Sequence, residues 1–165
     1  MTVPMGSGPK KWEPGQRFAE MPREGSPHAG IWQYFGWSIV EVGAGHSILE
    51  WTPTENHSFR AGDIWIVHGG MVTALLDTAM GQATWSLLNE GEVFLTSDLR
   101  TEFYRVTTPG PVRAHGHVVH KTRRVTFAAA ELYNGEGKLL ASCRATNQTL
   151  AARPSQSDSS GASAG

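Results

Sequence analysis

Residues 68–89 read HGGMVTALLDTAMGQATWSLLN, and this stretch decides the fold. Apolar residues fall at 72, 75, 76, 79, 80, 83, 87 and 88. Steps of three and four predict a helix over 69–89, apolar around most of its circumference. Gly81 interrupts the interior, where glycine costs up to about 1 kcal/mol relative to alanine. Beside Ala74, Ala79 and Ala83 it predicts close approach of another backbone. Asp77 is the one formally charged residue from His68 through Asn89. An ionised carboxylate in apolar surroundings is costly unless it is bonded, and Asp77 sits too far into the helix to be its N-cap. At one-turn spacing it aligns with Thr73 and Gly81, a small polar stripe suited to facing a cleft. The competing reading is a structural aspartate, bonded to a backbone amide or across an interface.

The glycine pair at the helix start has its own chemistry. First-turn N–H groups have no partner inside the helix and carry positive partial charge. Glycine lets a ligand approach that backbone, and such a donor can hold a carbonyl oxygen as it becomes an oxyanion. A tight loop-to-helix turn explains the same pair without chemistry. Gly69 and Asp77 are eight residues apart, about 12 Å along a helix, too far for one small reacting centre. If they share a site, Gly69 of one subunit faces Asp77 of another across two antiparallel helices.

Outward from the helix the pattern is that of strands. Residues 36–53 predict a hairpin about a Gly-Ala-Gly turn, and 54–65 a loop. Four further strands are expected at 93–105, 110–121, 124–134 and 138–150, joined by the turns TTPGP, KTRR and NGEGK. The order ββ-α-ββββ predicts an α+β domain, one antiparallel sheet with the helix across its concave face. A sheet edge is then left open, and dimerisation covers it.

Composition sets the limits. The chain has 165 residues and a formal net charge of −1, which argues against a nucleic-acid partner. Its single cysteine, Cys143, excludes an internal disulfide and a cysteine-based zinc site and fits a reducing, cytoplasmic compartment. Neither a membrane span nor a signal peptide is expected. The expected organisation is a flexible segment over 1–16, one domain over 17–150 and a disordered tail over 151–165.

The stretches HGGMVTALLDTAMGQA (68–83), TSDLRTEFYRVTTPGPVRAHGHVVHKTRR (96–124) and NGEGKLLASCRAT (134–146) together resemble the hotdog-fold acyl-CoA thioesterases. The nearest group is the PaaI-like and Arthrobacter-type 4-hydroxybenzoyl-CoA thioesterases. The resemblance implies a five- or six-stranded antiparallel sheet wrapped around the helix, in a homodimer or a dimer of dimers. It implies hydrolysis of an acyl-CoA thioester, with coenzyme A as part of the substrate, no separate cofactor and no metal. Asp77 matches the catalytic carboxylate, nucleophile or general base. Gly69, followed by Gly70, matches the glycine whose N–H polarises the carbonyl. Thr96 matches a residue that positions water, and His68 a loop organiser. Many members carry Asn or Gln shortly before the histidine; here Ala61 and Gly62 stand there, followed by Asp63, leaving Asn56 or His57 to fold back as a substitute.

Lys121, Arg123 and Arg124 are candidate contacts for the CoA phosphates, with Arg105 as another; a solvated turn accounts for them equally well. His115 and His117 share a strand face, a spacing that can bind metal, without an accompanying acid. Trp65, Trp85, Phe94 and Phe103 are candidates to shape an acyl pocket, and Cys143 reads as a small core residue. The functions in competition with hydrolysis are a non-catalytic acyl-CoA-binding or regulatory hotdog domain and a hotdog enoyl-CoA hydratase.

Overall fold

The computed structural model describes residues 34–151. The expected N-terminal segment 1–16, residues 17–33 of the expected domain and the tail from 152 onward lie outside the described residues. Ala151, expected in the tail, instead closes the last strand, opposite Glu92.

The described chain runs β1 (Ser38–Gly43), β2 (His46–Trp51), a 3-10 turn (Glu55–His57), β3 (Ser58–Ala61), β4 (Ile64–Val67), α1 (Gly69–Trp85), β5 (Glu92–Phe103), β6 (Val112–Lys121), β7 (Val125–Asn134) and β8 (Leu139–Ala151). Six strands form one sheet in the order β1-β2-β6-β7-β8-β5, every neighbouring pair antiparallel. The helix lies across it, and this is the hotdog fold.

Two expectations need correction. Residues 54–65 are not a loop: they hold the 3-10 turn, and β3 and β4 form a separate two-stranded hairpin. Its turn depends on Gly62, whose φ of 61° is open to glycine. Phe59 and Ile64 on this hairpin stay exposed, so no buried alternating face marks it in the sequence. The helix also ends at Trp85, not at 89. Ser86 turns the chain there, its hydroxyl donating to the Ala83 carbonyl at 2.7 Å and accepting from the Gly45 N–H at 2.8 Å. Leu87 and Leu88 continue the apolar spacing because Leu88 is buried, but they do so beyond the helix.

Val72, Leu75, Leu76, Ala79 and Met80 are the buried face of α1. They pack with Leu49, Ala114, Ala128, Ala130, Leu132 and Cys143 of the sheet. The close backbone approach expected at Gly81 occurs elsewhere. A Cβ on Gly116 of β6 would sit 2.4 Å from the Ala79 carbonyl oxygen, so the strand glycine lets sheet and helix backbones touch. Gly81 instead meets an aromatic ring: a Cβ there would lie 3.1 Å from Phe94.

Candidate active site

The stripe read from the sequence does not open onto a cleft in the single chain; it packs against β5. Four positions at one-turn spacing along α1 meet four side chains along that strand. A Cβ on Gly69 would lie 3.1 Å from the Phe103 ring. Thr73 donates its hydroxyl to Thr101 at 3.1 Å. Thr96 donates to the Asp77 carboxylate at 3.1 Å. Gly81 faces Phe94, which also meets Trp85 edge-on at a ring distance of 6.3 Å.

A bulge makes this match possible. Side chains alternate along a strand, so Thr96 and Thr101 would otherwise point to opposite faces. Thr96 pairs with Asn147 and Asp98 with Thr146, leaving Ser97 as the extra residue. Its hydroxyl donates to the Thr146 carbonyl at 2.9 Å. The inserted residue switches the parity, so Phe94 and Thr96 before it and Thr101 and Phe103 after it all face α1.

Burial pushes the Asp77 carboxyl above its ordinary value, and the Thr96 hydrogen bond opposes that rise. Thr101 lies 3.2 Å from the Cys143 sulfur. Burial raises the Cys143 thiol, the Thr101 contact lowers it, and the negative charge of Asp77 raises it further. Cys143 is a buried core residue, as its strand position predicts, and lies within the electrostatic reach of the carboxylate.

His68 is the N-cap of α1. Its Nδ1 accepts the Gly70 N–H at 3.0 Å, which places the proton of a neutral ring on Nε2. Its backbone N–H donates to the His57 carbonyl at 2.9 Å. The Gly70 donor is thereby occupied, whereas the Gly69 N–H meets no acceptor among the described residues. The His57 ring does not fold back toward Gly69; its Nδ1 takes the Thr54 N–H at 3.0 Å. Asn56 is exposed, and Ala61, Gly62 and Asp63 form the exposed tip of the β3–β4 hairpin.

The basic candidates separate. Residues 122–124 form the turn between β6 and β7, held by Thr122 bonds to Val125. The Arg124 carbonyl accepts from Thr149, which pairs with Phe94, so the turn lies at the Asp77–Gly81 end of the ladder. Arg105 is at the other end, its guanidinium bonded to the Leu139 carbonyl at 2.7 Å. His115 and His117 are on the far side of the sheet, away from α1, with His115 beside Tyr133 at a ring distance of 5.3 Å. Among the described residues, no three ligating side chains converge on a metal position. Two concavities of about 590 and 580 Å³ include His115 and His117 respectively in their linings, and neither includes Asp77 or Gly69.

Two features escaped the sequence. Thr101 carries no local signal, since its facing depends on the bulge. Asn147, buried and donating to Thr84 at 2.8 Å, stands next to Thr96 in register, a relation made only by strand pairing.

Comparison with known proteins fits this geometry. Residues 66–141, from β4 into β8, match the family described as the thioesterase superfamily. A crystallised protein of that superfamily is 30% identical, the alignment covering 76% of this chain and 90% of the other, with a TM-score of 0.66. The chain belongs to the thioesterase superfamily. A thioesterase family protein from Silicibacter pomeroyi is 25% identical over 82% of this chain and 93% of its own, with a TM-score of 0.69. The proofreading thioesterase EntH of Klebsiella pneumoniae is 27% identical over 79 residues. That match spans 48% of this chain and 58% of the relative. No helix among the described residues is long and apolar enough to cross a membrane.

Proposed function

We propose that this protein hydrolyses acyl-CoA thioesters, as a PaaI-like member of its superfamily, at a site shared by two subunits. The observation that carries the reading is a partly buried carboxylate, Asp77, on the same helix as a Gly69 N–H that has no acceptor among the described residues. They are eight residues apart, about 12 Å along the axis, so one chain alone does not bring both to one carbonyl. Two antiparallel α1 helices would. The half-buried stripe on α1 and the edge strand β5, with Leu95, Leu99 and Phe103 at 61%, 38% and 53% exposure, form the flank that a second subunit would cover.

In the mechanism, the Gly69 N–H and the α1 dipole hold the thioester oxygen. Asp77 of the partner subunit, oriented by that subunit's Thr96, takes a proton from water as the water attacks the carbon, or attacks the carbon itself. The C–S bond breaks and CoA leaves as thiolate and takes up a proton. After water attack the acid is released directly, whereas after Asp77 attack a water must first hydrolyse the acyl anhydride on Asp77, freeing the acid and restoring the carboxylate. His68 serves by capping the helix. Lys121, Arg123 and Arg124 supply cationic charge for the CoA phosphates. The intact Asp77 favours this over a non-catalytic binding domain, and the capped His68 ring, on the same chain more than two turns from Asp77, does not make the acid–histidine pair of a hydratase.

Asp77→Asn is expected to lower kcat by about 10²–10⁴-fold with KM little changed, measured by thiol release over short, long and aromatic acyl-CoAs. Gly69→Pro removes the N–H while keeping a residue suited to the first helical position, after a His68 already at ψ 130°. If subunits share the site, mixing the two inactive variants restores about a quarter of wild-type activity, because each mixed dimer contains one intact site. Wild-type rates for Asp77→Asn overturn the chemistry; failure of the mixture to recover activity overturns the sharing.

A further inference from the structure

We infer that the two Thr73 side chains of the dimer meet on its twofold axis, and that the Thr73–Thr101 hydroxyl pairs of both subunits join there into one hydrogen-bonded strip between the active sites. The inference rests on the shared-site reading above. A twofold axis makes an interface reciprocal: where residue i meets residue j, j also meets i. Gly69 opposite the partner's Asp77 therefore requires Asp77 opposite the partner's Gly69. Thr73 lies midway, four residues from each and on the same stripe, so it is the position that faces itself. Each carboxylate then stands about one helical turn from the axis.

The surroundings of Thr73 suit that place. It is partly buried in one chain, and its hydroxyl reaches Thr101, which in turn touches the Cys143 sulfur. Glycines at 69 and 81 leave the same stripe without side chains on either side. A hydroxyl donates one proton and accepts through two lone pairs, and its hydrogen rotates freely. The chain can thus run in one direction across the axis. In one subunit the Thr73–Thr101 bond reverses, so that Thr101 donates to Thr73 and Thr73 to the partner's Thr73. In the other it keeps the single-chain direction, the partner's Thr73 donating to the partner's Thr101, and the partner's Thr101 to the partner's Cys143. At the starting end the first subunit's Cys143 donates to its own Thr101, so every hydroxyl both gives and receives. The two thiols take opposite roles, which a protonated, buried cysteine permits. Because Thr101 sits on β5, the same axis brings the two exposed edge strands together. The strip fixes the spacing between Gly69 of one subunit and Asp77 of the other, making Thr73 a positioning residue.

The test is a symmetric cross-link. Thr73→Cys, treated with a mild oxidant, is expected to run as a covalent dimer on a non-reducing denaturing gel, with the 73–73 linkage found in its peptides and lost on reduction. The wild type, with Cys143 buried, and Thr78→Cys, on another face of α1, stay uncross-linked. A Thr73→Cys protein that is dimeric by sizing yet forms no such link overturns the inference. Should that variant not fold, Thr73→Ser and Thr73→Val decide. Serine keeps kcat near wild type, whereas valine lowers it about tenfold at unchanged KM through misplacement of the two half-sites; equal kcat for both overturns the proposal. Recovery of activity in the Gly69→Pro and Asp77→Asn mixture shows separately whether the shared site stands, so the axis can fail without it.

Discussion

Asp77 is held between two opposing influences, and each can be removed. Burial raises its carboxyl and Thr96 lowers it. The proposed chemistry needs the ionised carboxylate, so activity should fall with decreasing pH along an acid limb that lies above the usual 3.8 of an aspartate. Thr96→Val removes the donor, and the limb of the kcat/KM profile should move to still higher pH. An unmoved limb would show that the hydrogen bond is absent in solution. Stability follows the same sign. A folded-state value above the unfolded one means that the native protein binds the proton more tightly. Asp77 therefore weighs least on stability below the unfolded value, and stability declines as pH rises through the folded value. Asp77→Asn should accordingly raise the Tm more at about pH 7 than at about pH 4, in thermal melts of both proteins. A single charge in an apolar helix was legible at once. Its partner Thr96, nineteen positions on, was found by resemblance alone, because no local pattern links the two.

At the scale of elements, the position of α1 depends on a glycine in the facing strand. A side chain on Gly116 would strike the Ala79 carbonyl and the Met80 nitrogen, both backbone atoms, which have no rotamer by which to yield. Gly116→Ala should destabilise the protein by about 3 kcal/mol or more, measured by chemical denaturation. Gly135→Ala, whose new methyl would meet Pro111 at 3.4 Å, should change stability much less. The strand and helix periodicities announced α1 and the sheet strands to within a few residues, since each buries a regular face. They missed β3 and β4, where Phe59 and Ile64 face solvent and only Val67 is buried, and they extended α1 past Ser86, because Leu87 and Leu88 stay apolar for the core. The bulge at Ser97 was invisible for the same reason: β5 is an edge strand, and its exposure leaves no alternation for an inserted residue to break.

For the whole molecule, charge is scattered and nearly balanced, so recognition of the proposed acyl-CoA substrate would have to come from local clusters rather than a long-range field. The 122–124 turn, at the Asp77 end of the sheet, is such a cluster. Arg123→Ala and Arg124→Ala should raise KM for acyl-CoA several-fold, about 1 kcal/mol each, while leaving KM for a short thioester without the nucleotide unchanged. Equal effects on both substrates would assign the arginines to the fold instead.

The sequence by itself determined the helix, its lone carboxylate, the glycines that open it and the antiparallel strands that follow. These are local facts, set by spacing along one chain and by the cost of burying a charge. Only the tertiary structure decided that the Thr73–Asp77 stripe packs on β5 and that Thr96 and Thr101 share one face. Those facts depend on strand register and one inserted residue. A shift of one position in an edge strand turns every side chain over while leaving the hydrophobic pattern of the core unchanged.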